Sequence, residues 1–172
     1  WRDKERPVLI NNWEATYFDF DEEKILSIAE KAKSAGIELM VLDDGWFGKR
    51  NNDDCSLGDW TENREKLPHG IDGLAEKVEA LGMKFGLWFE PEMVSPDSDL
   101  YRSHPDWCLH VTDRGRSEQR NQLILDLSRD DVCEYIVSFL SDILKKAKIS
   151  YVKWDMNRNM TEVGSALLPP ER

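Results

Sequence analysis

The sequence is poor in several features, and each shortage removes a class of function. No run of about 20 apolar residues occurs, so no membrane-spanning helix and no membrane partner are expected. Cysteine appears only at positions 55, 108 and 133, in odd number, far apart and without a CxxC pair. Neither a disulfide framework nor a zinc site is supported by that pattern. His69, His104 and His110 lack an HxxxH spacing and read as surface or loop residues, so no metal site is expected from them. No GxGxxG or GxxxxGK[ST] follows an apolar run, which argues against a nucleotide, and no other cofactor is expected. Positive charge is also short. Lys and Arg number 23 against 34 Asp and Glu, leaving a net charge of −11. Such a surface repels a phosphate backbone, so nucleic acid is not expected as a partner.

What remains is ordinary for a folded domain. Hydrophobic residues make up 40% of 172, which argues against disorder. That length implies one domain, spanning 1–172. The chain begins at Trp1, and WRDKER carries no apolar core of a secretory leader, so a fragment or processed product is expected. The cysteine usage fits a reducing, cytoplasmic setting.

Strand and helix signals alternate along the chain. Pro7 to Trp13 reads as a strand. Asp21 is placed to cap a helix in which Ile25, Ile28, Ala29 and Ala32 fall at helical spacing, with Gly36 ending it. Ile37 to Leu42 is a second strand, followed by a polar loop from about Phe47 to His69. Ile71, Leu74, Val78 and Leu81 mark a second helix, and Met83 to Phe89 a third strand. A long loop, about Met93 to Ser128, contains an extended run at Gln122 to Leu127. A third helix over Val132 to Leu144 leads to a fourth strand, Ile149 to Trp154, and the tail from Thr161 could open a fourth helix. Strands separated by helices predict an α/β fold with a parallel sheet in the order 1-2-3-4.

The carboxyl ends of these strands carry the chemistry, and that edge is where α/β folds bind ligands. Lys153 and Asp155 are i and i+2 on a strand and face the same space, so the ammonium is expected to lower the pKa of the carboxylate. A partly buried ion pair that merely closes the strand is the plainer alternative. Asp43 and Asp44 precede Gly45 and Trp46. They suit sugar hydroxyls beside an aromatic wall, or equally an Asp-Gly turn with a packed tryptophan. Trp88 and Glu90 share a face by the same i, i+2 rule. Arg120 offers a bidentate donor or is simply a solvated arginine. Seven tryptophans are many for this length, and Trp13, Trp46 and Trp88 fall at strand ends, which favours sugar stacking.

Six segments resemble the α-galactosidases of glycoside hydrolase family 36: NNWEATYF around Trp13, VLDDGWFG at 41–48, GDW at 58–60, FGLWFEPEMV at 85–94, RNQLILDLSR at 120–129 and KWDMNR at 153–158. They run through nearly the whole chain in order. The resemblance implies a (β/α)₈ barrel of which these residues form the first four βα units, a half-barrel. It also implies retaining hydrolysis of terminal α-galactosides of the melibiose or raffinose type. By position, Asp155 matches the nucleophile. Asp43 and Asp44 match residues that hold galactose hydroxyls, Trp13 and Trp88 the aromatic lining, and Arg120, Lys153 and Asn157 polar substrate contacts. Arg158 belongs to the motif without an assigned role. The family's general acid/base Asp lies on a later strand, beyond Arg172, and its flanking β domains have no counterpart here.

Other readings differ in class. Transglycosylation or an N-acetylgalactosamine substrate would use the same architecture, and a non-catalytic galactose-binding module would use half of it. A metal-dependent barrel built on Asp43, Glu90 and Asp155 is disfavoured because Lys153 would compete with the cation. Strands one and four would be open edges of an isolated half-barrel. A homo-oligomer, or the remainder of the same enzyme, is therefore the expected partner besides the α-galactoside.

Overall fold

A computed structural model of the chain describes residues 5–162 and 164–169. The elements run β1 (Leu9–Asn11), α1 (Trp13–Thr16), α2 (Glu22–Ser34), β2 (Leu39–Leu42), α3 (Gly70–Ala80), β3 (Lys84–Phe89), β4 (Met93–Val94), α4 (Asp99–Ser103), a 3₁₀ turn (Pro105–Trp107), β5 (Leu123–Ile124), α5 (Asp130–Lys146) and β6 (Tyr151–Trp154). The main sheet has the order β1-β2-β3-β6 with every neighbouring pair parallel, as the alternation of elements predicts.

Strand alternation divides this sheet into two faces. Met40, Leu42, Phe85, Leu87 and Phe89 join the main apolar core with Ile25, Ala29 and Ala32 of α2 and Ile71, Leu74, Ala75 and Val78 of α3. Phe139, Leu140 and Ile143 of α5 pack against the same core. The α2 helix starts where expected, because the Asp21 carboxylate accepts the Lys24 N–H at 2.8 Å. The opposite face carries Leu39, Val41, Gly86 and Tyr151. It leads, at its carboxyl end, to Asp43, Trp88 and Lys153.

Three local expectations give way. The first strand stops at Asn11 rather than reaching Trp13, which opens α1. Two asparagines turn the chain there: Asn11 Oδ1 accepts the Trp13 N–H at 2.8 Å, while Asn12 Nδ2 donates to Thr16 Oγ1 at 2.8 Å. The long loop carries the expected extended run, within which β5 falls, but it also holds β4, α4 and the 3₁₀ turn, which were not expected. Its β4 and β5 pair antiparallel over a second apolar cluster that includes Val94, Leu100, Trp107, Leu123 and Leu125. The tail forms no helix at 161–162 or 164–169, where only a turn is found. Thr161 and Glu162 accept from the Arg158 guanidinium instead. The remainder of the expected tail helix, positions 163 and 170–172, lies outside the described residues.

The sheet has two open edges. Leu9 on β1 and Tyr151 and Trp154 on β6 are exposed, the last at 51%. Among the described residues no helix is long and apolar enough to cross a membrane.

Gly86 lies in the centre of the inner face, with Val41 and Tyr151 on either side. A Cβ there would stand 3.1 Å from Val41 Cγ2 and 3.1 Å from Tyr151 Cβ. The three are neighbours in register, so none can withdraw without disturbing the ladder. Gly86→Val is expected to destabilise the protein by about 1–3 kcal/mol through overpacking, read as a fall in the denaturant midpoint at unchanged slope.

Candidate active site

Parallel pairing places Trp88 opposite Lys153, and Asp43 follows directly on the Leu42–Leu87 pair. Asp43, Trp88 and Lys153 therefore stand in one row at the carboxyl edge, with Asp155 one step beyond Lys153 on the same side. Around that row lies a cavity of about 270 Å³. Its lining includes Trp13, Asp43, Asp44, Trp88, Arg120, Lys153, Asp155 and Asn157. The structure thus brings together the eight residues that the resemblance assigns to the site, while Trp46 and Arg158 lie outside the lining. It adds Arg50, Asp53 and Gln122, which were not anticipated, and Glu90, whose partners were not.

Asp155 is half-buried and well supplied with donors. Trp88 Nε1 donates to its Oδ2 at 3.0 Å, Asn157 Nδ2 to the same oxygen at 2.7 Å, and the Met156 N–H to Oδ1 at 2.9 Å. Burial pushes the Asp155 carboxyl up. The Trp88 and Asn157 donors, the Met156 N–H and the Lys153 charge outweigh it and hold the pKa below the ordinary aspartate value. The group is ready as an anion. As expected, the Lys153 charge helps to lower the Asp155 pKa, but the plainer alternative of a direct ion pair is not what forms: the ammonium rests on Asp43 Oδ2 at 2.7 Å and acts on Asp155 through its field. The reason is reach. The long lysine stem spans β3 and finds the more buried carboxylate.

Asp43 and Asp44 are adjacent yet have separate partners. Asp43 accepts from Lys153, from the Asn11 carboxamide and, through Oδ1, from the Asp44 N–H at 2.9 Å. Its own N–H donates to Asn12 Oδ1 at 2.8 Å. Asp44 is held by Arg50, whose Nε lies 3.0 Å from Oδ1 and Nη2 2.8 Å from Oδ2. Burial and the neighbouring Asp43 charge push Asp44 up, against the pull of Arg50. Gly45 makes the turn possible at φ +104°, a conformation that disfavours other residues, and a Cβ would meet Phe18 Cδ1 at 3.0 Å.

The tryptophans depart from the stacking expectation. Trp46 is fully buried, edge-on to Phe47 and Phe89, and its Nε1 donates to the Trp88 carbonyl at 2.9 Å. Trp88 is 1% exposed and parallel to Phe47, so it presents its N–H to the cavity rather than a ring face. Trp13 remains partly exposed, edge-on to Tyr17 and Phe18. Arg120 is exposed, sits at φ +52° and has Asp53 at 3.8 Å. Arg158, which had no assigned role, holds the loop bearing Arg120: its Nη1 donates to the carbonyls of Ser117 at 2.9 Å and Gln122 at 2.7 Å.

Glu90 is fully buried and accepts from the Asn157 backbone N–H and, at 3.2 Å, from Asn157 Nδ2. Burial pushes its carboxyl up, the Asn157 donors pull it down, and the Asp155 and Asp44 charges add to the rise. Among the described residues no group of His, Cys, Asp or Glu is arranged to hold a metal ion. A larger cavity of about 730 Å³ lies between the two long loops, and several of its charged side chains already have partners. There Arg102 pairs with Asp97 and Asp99, and Asp59 accepts the Asp99 and Leu100 N–H groups.

Clustered carboxyl groups, one lysine and amide and indole donors at the carboxyl edge of a parallel α/β sheet form the kind of site found in sugar-processing barrel domains. The chain belongs to the melibiase family, whose model matches residues 1–172. It is 69% identical over 172 residues to α-galactosidase AgaA of Geobacillus stearothermophilus, covering all of this chain and 24% of that protein. It is 50% identical to α-galactosidase 1 of Pediococcus pentosaceus, again with 24% of the relative covered. The crystal structure of the GH36 enzyme AgaA superposes with a TM-score of 0.96 over 99% of this chain and 24% of that one. Variants of AgaA have been crystallised with raffinose and with stachyose. The chain thus spans about a quarter of the length of these relatives.

Two outcomes follow for the full-length protein. Arg50→Met leaves Asp44 buried without its cation, and is expected to cost about 3–5 kcal/mol of stability in chemical denaturation. Trp88→Phe removes one donor to the ionised form of Asp155. Loss of that donor is expected to raise the Asp155 pKa, read as a shift of its carboxyl NMR titration to higher pH, and a titration that stays in place or moves lower contradicts the donor's role.

Proposed function

We propose that the protein containing this chain is a retaining α-galactosidase, and that this chain is the first half of its (β/α)₈ barrel. The observation that carries the reading is Asp155: a half-buried carboxylate at the end of a parallel strand, held as an anion by three donors at the floor of a small polar cavity. The relatives named above are α-galactosidases, which supports the same activity for the whole protein. The AgaA complexes with raffinose and stachyose support α-galactoside oligosaccharides as the substrate class.

In this reading an Asp155 oxygen attacks the anomeric carbon while the glycosidic C–O bond breaks. The leaving oxygen takes a proton from a second carboxylic acid, which the remainder of the protein supplies on a later strand. Water then attacks the glycosyl ester, with that second group now acting as base. Retention places the two carboxyls about 5–5.5 Å apart. Asp43 and Asp44 accept hydroxyls of galactose. Lys153, Asn157 and Arg120 add polar contacts, Trp13 lines the cavity, and Trp88 acts on Asp155 through its N–H. The open edges at β1 and β6 are covered by further βα units of the same polypeptide or by a second copy.

Asp155→Asn in the full-length enzyme is expected to abolish turnover while leaving galactose affinity within about tenfold, because the amide keeps the shape but is a poor nucleophile. Isothermal titration beside a raffinose hydrolysis assay checks this. Substantial residual turnover would remove Asp155 from the nucleophile's role.

A further inference from the structure

Among the described carboxylates of the cavity, Asp155 and Glu90 make no ion pair, and Glu90 is the one of the two that is fully buried. Asp43 has Lys153, Asp44 has Arg50, Asp53 has Arg120 at 3.8 Å, and Asp155 feels the Lys153 charge. A fully buried carboxylate without a cation is costly unless hydrogen bonds replace the lost water. Here both bonds come from one residue: the Asn157 backbone N–H on Oε1 and Asn157 Nδ2 on Oε2 at 3.2 Å.

The same Nδ2 also donates to Asp155 Oδ2 at 2.7 Å. A carboxamide nitrogen carries two hydrogens, and the Glu90 and Asp155 oxygens that Nδ2 meets are both acceptors. The two acceptors therefore take both hydrogens and determine which end of the side chain is nitrogen. The Asn157 carbonyl oxygen is left over as an acceptor. Glu90 lies at the end of β3 and Asn157 three residues past the end of β6, so the bond also ties the loop bearing Asn157 to a neighbouring strand.

We infer that Glu90 is a positioning residue: through Asn157 it orients the Asp155 carboxylate for attack and turns the Asn157 carbonyl oxygen to receive a sugar hydroxyl. The inference rests on Asp155 being the nucleophile. In Glu90→Gln the new amide nitrogen would meet Asn157 Nδ2, donor against donor. Asn157 must then flip, which withdraws its donor from Asp155.

The test uses the full-length enzyme and 5-fluoro-α-galactosyl fluoride. With this reagent the anomeric C–F bond breaks, fluoride leaves without needing a proton, and the nucleophile forms a C–O bond to the sugar. The labelled peptide reports which residue is the nucleophile, and a label elsewhere than Asp155 overturns that assignment. The labelling rate reports on Glu90. It is expected to fall about tenfold or more in Glu90→Gln and in Asn157→Ala, and the double variant should be no slower than Asn157→Ala alone. Additive slowing, or no slowing in Glu90→Gln, overturns the positioning role even when Asp155 carries the label. If Glu90→Gln does not fold, Asn157→Asp decides. It sets a third acceptor against Glu90 and Asp155 and should label more slowly than Asn157→Ala, while equal or faster labelling overturns the inference.

Discussion

The Lys153 ammonium lies on Asp43 at 2.7 Å, and this contact runs from the last strand of the sheet to the second, across Trp88. It exists because the parallel ladder sets Trp88 beside Lys153 and places Asp43 on the same side of the neighbouring strand. Shifting one strand by a single residue would turn Lys153 or Asp43 to the helix-covered face, where neither charge has a partner. The site therefore depends on register, and register depends on the apolar residues of the other face. Met40, Leu42, Phe85, Leu87 and Phe89 must point at α2, α3 and α5 for the charged row to point into the cavity. Burial of one face and chemistry on the other are a single constraint.

The long loops are built on a different principle. They bury polar backbone, and buried carbonyls need donors. Cations supply them. Lys66 Nζ donates to the carbonyls of Phe18, Gly45 and Arg50 at 3.0, 3.0 and 3.1 Å. Burial lowers the Lys66 pKa, and the Asp44 and Asp19 charges oppose that change. Arg50 combines the Asp44 carboxylate with the Cys55 carbonyl, and Arg158 gathers the carbonyls of Ser117, Gln122 and Asn159. Each cation fastens a loop to a point beside the cavity. This is why a net-acidic chain places several of its scarce cations in the interior.

Tryptophan is used in the same economical way. Trp46 and Trp88 fill the core with their rings and keep one polar edge for a specific acceptor, the Trp88 carbonyl in one case and Asp155 in the other. Trp13 and Trp88 line the cavity and Trp46 does not, and a position at a strand end does not reveal whether a face or an edge is presented. Packing decides it: Trp46 lies edge-on to Phe47 and Phe89, and Trp88 lies parallel to Phe47.

Much of the architecture is legible in the linear pattern, because periodicity and capping are local. The Asp21 cap, the helical spacing from Ile25 to Ala32 and the apolar runs before Asp43, Glu90 and Asp155 are enough to place helices, strands and a parallel order. The i, i+2 rule also puts Lys153 and Asp155 on one side. Partner choice is not local. Lys153 goes to Asp43, 110 positions away, rather than to Asp155, and Arg50 goes to Asp44 rather than to solvent. Nothing in GKRNND distinguishes Arg50 from its exposed neighbours, and nothing in WFEPE separates Glu90 from Glu92. Only packing decides which of them is dry, since desolvation makes an unpaired charge costly and so compels a buried one to find its partner. Local spacing set the strands and the side on which Lys153 and Asp155 face, while burial in three dimensions assigned each buried charge its partner.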